Sequence, residues 1–125
     1  MRKSVFWLFS IFLLSFHDSG SVWAQDPAEG KKLYASDCST CHGANGKGDG
    51  VAAKSLPVKP GDHTNGTMMN QLSDEALSDI ISKGGAAVGK SAFMPAWGSL
   101  NEKQIRDIIA YIRSIADPPY KAPAK

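Results

Sequence analysis

Cysteine is almost missing from this chain, and what little there is lies in one place. The 125 residues hold two cysteines, Cys38 and Cys41, too few for the disulfide framework that staples many small secreted domains. Neither sign of charge is in excess. The formal net charge is +2, and no basic run interleaved with aromatics appears, so a nucleic-acid footprint is excluded. Strand patterning is also absent: no stretch alternates apolar and polar residues above noise, and no internal repeat is visible. The one long apolar run is Val5 to Phe16, behind Arg2 and Lys3. It falls short of the roughly 20 residues needed to cross a bilayer. With Val22-Trp23-Ala24 following, it predicts a secretory signal peptide over residues 1–24, cut before Gln25. Losing Arg2, Lys3 and Asp18 with it brings the formal charge from +2 to +1. What remains suffices for one small domain whose core needs a filler other than disulfides.

Three helical patterns are present. Asp26 can cap a first helix over Pro27–Ser36, with Pro27 in its first turn and Glu29 complementing the dipole. Ser73 caps a second over Asp74–Lys83, with Leu77, Ile80 and Ile81 as its stripe and Gly84-Gly85 as its stop. Asn101, with Gln104 three residues on, opens a third over Glu102–Ile115, whose Ile105, Ile108, Ile109 and Ile112 share a face. Between Gly43 and Asn70 the chain dissolves into Gly, Asn, Asp, Pro and Lys, with Leu56-Pro57 as an apolar island. A second loop, Ala86 to Gly98, carries Phe93-Met94-Pro95-Ala96-Trp97. The domain is expected over residues 25–116, followed by an extended, mobile Pro-rich tail, 117–125. The class is all-α. So long a loop is unusual in a compact domain and becomes reasonable if it wraps a large apolar ligand.

Cys38-Ser-Thr-Cys41-His42 admits three readings. A redox dithiol usually opens a helix after a strand, and neither neighbour is here. Structural zinc wants four ligands; His63 could join Cys38, Cys41 and His42, at irregular spacing. The third reading is covalent haem: the two thiols add to the two vinyls of a porphyrin, and the next residue offers an imidazole to the iron. For the opposite side of the iron Met94 leads, in a turn-rich loop stopped by Pro95. Met68, Met69 and His63 compete.

The run Cys38-Ser-Thr-Cys41-His42-Gly43 after a short helix, Met94-Pro95-Ala96-Trp97 some fifty residues on, and Ile108-Ile-Ala-Tyr111-Ile-Arg113 near the end together resemble a class I cytochrome c. The likeness spans Pro27 to Ala116. It implies the cytochrome c fold, three main helices and long loops wrapped round one covalently bound haem c. Cys38 and Cys41 would carry the thioethers, His42 the proximal bond and Met94 the distal one. Gly30 with Tyr34 would meet Ile108 with Tyr111 where the first and last helices cross. A proline carbonyl, that of Pro57 in preference to Pro60, would accept the other ring N–H of His42. Trp97 would pack near the haem edge or sit half-buried at the surface, and Phe93, Val88, Leu56 and Ile81 would form the apolar wall or belong to the ordinary core.

The function implied is that of a periplasmic one-electron carrier and not an enzyme. Its expected partners are membrane or periplasmic oxidoreductases, with no membrane insertion after leader removal and a monomeric state. Lys47, Lys54, Lys59, Lys83 and Lys90 flank the loops and could steer an acidic partner. The rivals are a small haem enzyme with a labile sixth ligand, using His63 as its polar group, and a thiol oxidoreductase.

Overall fold

A computed structural model describes residues 24–121. The expected leader lies outside the described residues except for Ala24, as do the last four residues of the tail. The Asp26 carboxylate accepts the N–H groups of Ala28 at 2.9 Å and Glu29 at 3.2 Å, and with Pro27 in the first turn it opens α1, Pro27–Asp37. Cys38 ends α1 and starts the single-turn α2, Ser39–His42. After a 3₁₀ turn at Ala53–Ser55 come α3, Gly66–Met69, and α4, Asp74–Lys83, whose Ser73 cap takes the Ala76 N–H. A second 3₁₀ turn, Ala86–Val88, precedes α5, Glu102–Ile115, which starts with a complete Asn101/Gln104 capping box. Among the described residues there is no strand; one isolated bridge joins Asn65 to Asp117.

The core lies where α5 crosses α1 and packs on α4. Tyr34 of α1, Leu77 and Ile81 of α4, and Ile105, Ile108, Ile109, Tyr111 and Ile112 of α5 are all buried. Each such side chain contributes about 1.5–3 kcal/mol by leaving water. In α1 only Gly30 and Tyr34 are buried: the contact is made by close backbone approach, not by an apolar stripe. A Cβ on Gly30 would overlap the carbonyl of Asp107, so only glycine lets the two helices touch. Beside it the Tyr34 and Tyr111 rings meet edge to face at 5.0 Å.

Asp107 is 1% exposed. Its carboxylate accepts the Asp26 N–H at 2.9 Å and Lys103 Nζ at 2.6 Å. Burial alone would raise its pKa, but Lys103 and the Asp26 amide outweigh it and hold the carboxyl below its ordinary 3.8.

The segment after α5 departs from the sequence expectation. The chain does not leave the fold at Ala116. Asp117 donates its N–H to Thr64 O and accepts the Gly66 N–H, each at 2.9 Å, and a Cβ on Gly66 would overlap the Asp117-Pro118 backbone. Asn70 Nδ2 reaches Pro118 O at 3.1 Å, and the Tyr120 ring covers Arg113 at 3.7 Å. Residues 117–120 thereby close over α3.

Candidate functional site

The two cysteines sit one helical turn apart on the α1–α2 junction. The His42 N–H donates to Cys38 O at 2.9 Å, and the returning loop donates Gly48 N–H to His42 O at 2.7 Å and Gly50 N–H to Cys41 O at 3.1 Å. These bonds fix the turn and present Cys38, Cys41 and His42 to one cavity. Neither cysteine is in a disulfide. Burial, then the neighbouring Asp37, pushes the Cys38 thiol up to about 12. Redox-active thiols are pushed the other way. No cluster of three His, Cys, Asp or Glu side chains converges as a metal site among the described residues. The disulfide-exchange and zinc readings therefore find no support in the geometry.

His42 Nδ1 lies 3.0 Å from Gly61 O. A carbonyl can only accept, so Nδ1 carries the proton and Nε2 keeps its lone pair free. Burial lowers the His42 pKa, opposed by the Gly61 bond, and keeps the ring neutral. Pro57 was the expected acceptor and Pro60 its alternative; the carbonyl belongs to Gly61, one residue past Pro60. A backbone acceptor depends on how the loop folds, which side-chain pattern does not report. Pro57 is exposed, while Leu56 and Pro60 line the cavity.

The cavity is about 580 Å³, in the range of small-molecule and cofactor sites. Leu56 and Val58 form one side, Met69 and Leu72 a second, and Leu77 and Ile80 of α4 a third. Phe93, Met94, Pro95 and Trp97 supply another wall. Met94 is anchored by its backbone: its carbonyl accepts the Gly85 N–H at 3.0 Å and its N–H reaches Ser91 O at 3.2 Å. Trp97 is held by its N–H on Ile81 O at 2.9 Å. Of the expected apolar wall, Phe93 and Leu56 line the cavity; Ile81 is buried in the interhelical core instead, and Val88 does not take part. The Leu77–Ile80 stripe was legible, but not which of its members faces the cavity.

The three alternatives to Met94 also line the cavity, yet each is otherwise engaged. The His63 ring stacks on His42 at 4.2 Å with 19° between planes, so it lies beside His42 with no space for a macrocycle between them. Met69 is 2% exposed within the core. Met68 has its terminal methyl toward Gly61, the residue that binds His42. His63 Nδ1 also meets the Tyr34 hydroxyl at 2.8 Å. Burial and the adjacent His42 push its pKa down to about 3, so the ring is neutral. The sequence offered His63 as a ligand or as the polar group of a haem enzyme; its place against His42 had no signal in spacing.

A half-buried pair of thiols, a neutral imidazole with its Nε2 free and a thioether around a large apolar space suit a porphyrin with iron. The chain matches the family model described as cytochrome c oxidase, cbb3-type, subunit III over residues 25–112. It is 35% identical over 115 residues to cytochrome c6 of Nostoc sp., covering 91% of this chain and 93% of that protein. It is 33% identical over 92 residues to the cbb3-type cytochrome c oxidase subunit FixP of Bradyrhizobium diazoefficiens, covering 72% of this chain but 28% of that subunit. Among solved structures the c-type cytochrome KustC0563 superimposes with a TM-score of 0.56 at 21% identity, over 70% of this chain and 98% of that one; this shows the shared all-α fold. The chain belongs to the class I c-type cytochromes, within the cbb3-type subunit III domain family, and takes one haem c covalently through Cys38 and Cys41.

Proposed function

We propose that this cytochrome is a periplasmic one-electron carrier whose haem iron is held between His42 Nε2 and Met94 Sδ. The observation that carries the reading is the His42–Gly61 bond of 3.0 Å, which leaves a neutral imidazole with a free Nε2 on a cavity that Met94 also borders. Haem c bound there supplies a one-electron change at iron. The chain does the rest. Cys38 and Cys41 would fix the macrocycle to the α1–α2 junction, and Gly61 sets the His42 tautomer. The soft thioether of Met94 favours the ferrous state. The apolar walls from α4 and the 93–97 loop would lower the local dielectric and disfavour the more highly charged ferric state. If both axial positions were filled by protein, no site would be left for a substrate, and the protein would act as a carrier and not as an enzyme.

Export to an oxidising compartment rests on the leader pattern of residues 1–24. Among the described residues no helix is long and apolar enough to cross a membrane. Val58 and Phe93, 57% and 55% exposed, line the cavity together with Lys59 and Lys90. A small apolar patch with basic neighbours suits brief encounters with acidic oxidoreductases, whose interfaces often bury less than about 1,200 Å². Lys83, by contrast, pairs with Asp79 at 2.9 Å, which lowers its value for steering.

The test is an absorption spectrum of protein matured where haem is attached, oxidised and then reduced. We expect a sharp reduced α-band and a weak far-red band in the ferric form. Met94→Ala should abolish the far-red band, give a high-spin form and lower the potential. An unchanged spectrum in Met94→Ala would refute the ligand pair. Rapid, tight carbon monoxide binding to the reduced unsubstituted protein would refute the carrier.

A further inference from the structure

His63 is restrained from several directions. Its N–H donates to Gly46 O at 2.7 Å, in the loop that follows the cysteine motif. Its Nδ1 meets the Tyr34 hydroxyl at 2.8 Å. Its ring face covers the His42 ring at 4.2 Å and 19°. Tyr34 is itself closely packed: 1% exposed, one turn along α1 from the Gly30 crossing, with its ring against Tyr111 at 5.0 Å. Restraint therefore passes from the packed α1–α5 crossing through Tyr34 and His63 to His42.

The torsion about Cβ–Cγ of a histidine joins an sp³ to an sp² centre, and its energy well is broad. A single hydrogen bond from Nδ1 to Gly61 fixes the tautomer and one point on the ring edge. It leaves the ring free to rock about the line through that point. A parallel aromatic face on one side removes that freedom, and a histidine does so with an edge nitrogen that Tyr34 can hold. Gly61 and His63 lie two residues apart, so one short segment supplies both restraints.

We propose that His63, held by Tyr34, is a positioning residue that sets the plane of the His42 imidazole relative to the haem. The proposal rests on His42 being an axial ligand, as proposed above. The orientation of an axial imidazole plane governs how unpaired spin distributes over the macrocycle, and so the order and spread of the haem methyl resonances of the ferric protein. A role confined to stability would not alter that pattern.

The experiment uses the full-length holoprotein and its His63→Leu, His63→Phe and Tyr34→Phe variants. The ferric methyl shifts are recorded directly and in the cyanide adduct, where cyanide replaces the sixth ligand and His42 remains the protein's axial ligand. His63→Leu is expected to change the order or narrow the spread of the methyl shifts in both forms. His63→Phe, which keeps an aromatic face, is expected to restore much of the pattern. Tyr34→Phe is expected to shift it in the same sense as His63→Leu, by less. A methyl pattern in His63→Leu identical to that of the unsubstituted protein overturns the proposal. If His63→Leu fails to hold haem, Tyr34→Phe decides: an unchanged pattern overturns the proposal and a shifted one supports it. The Met94 reading fails separately, through absence of the far-red band in the unsubstituted protein, and the cyanide adduct still reports on His42.

Discussion

Asp107 stands where the inner face of α5 otherwise carries isoleucine, and it is almost fully buried. Replacing it with asparagine removes the ion pair with Lys103 and should cost about 1.5–3 kcal/mol. The pH dependence has a definite sign. Because the folded carboxyl is held below its ordinary 3.8, its contribution is full at neutral pH and is lost as pH falls through 3.8 and below. Urea midpoints of the unsubstituted and Asp107→Asn holoproteins should converge across that range; a constant gap would show that Asp107 does not titrate with folding. From sequence, the spacing of Ile105, Ile108, Ile109 and Ile112 marked the face correctly, while a carboxylate among them reads as solvated. It is buried because Gly30 draws the α1 backbone over it, a tertiary contact with no local signature. Gly61 was missed for a related reason: its role is carried by a carbonyl that every residue has.

The elements themselves were mostly legible. The caps Asp26, Ser73 and Asn101 with Gln104 placed the starts of α1, α4 and α5, since each satisfies backbone donors that a helix start leaves open. Short α3 and the segment behind α5 were not, because they are held by backbone pairs between distant, non-periodic stretches. Arg113 completes that junction, with Nη1 on Met69 O at 2.8 Å, Nη2 on Leu72 O at 2.5 Å and Nε on Asp74 Oδ1 at 3.0 Å. Truncation after Ala116 removes the two Asp117 pairs with Thr64 and Gly66. It should cost about 1–3 kcal/mol and speed amide exchange at Gly66 and Asp117's partner loop, with the centre of α5 unchanged. Equal exchange at Gly66 in both proteins would mean that the segment is mobile after all.

At the scale of the molecule, one cavity competes with the helical core for the same chain. The space of about 580 Å³ leaves the apolar side chains of Leu56, Leu72, Leu77 and Ile80 facing it without packing partners from the chain itself. Haem would supply the packing that these side chains lack. The Cys38→Ala, Cys41→Ala double variant, unable to attach haem, should keep helical signal from α1 and α5 while losing cooperative melting. Calorimetry and far-ultraviolet dichroism together test this, and a single sharp transition near that of the holoprotein would refute it. The long loop predicted such a dependence, since its sequence offers too few apolar residues to collapse by itself.

The Asp26 amide on the Asp107 carboxylate, at 2.9 Å, also brings the start of the first helix against the last. Gln25 and Tyr120 border the same open surface hollow, which shares no lining residue with the haem cavity. Polypeptide entering at one end and leaving at the other passes through neighbouring doors in a single wall, and neither door opens onto the cofactor. A domain wired this way can be spliced into a longer chain, or carried alone, with its electron-exchanging side left uncovered.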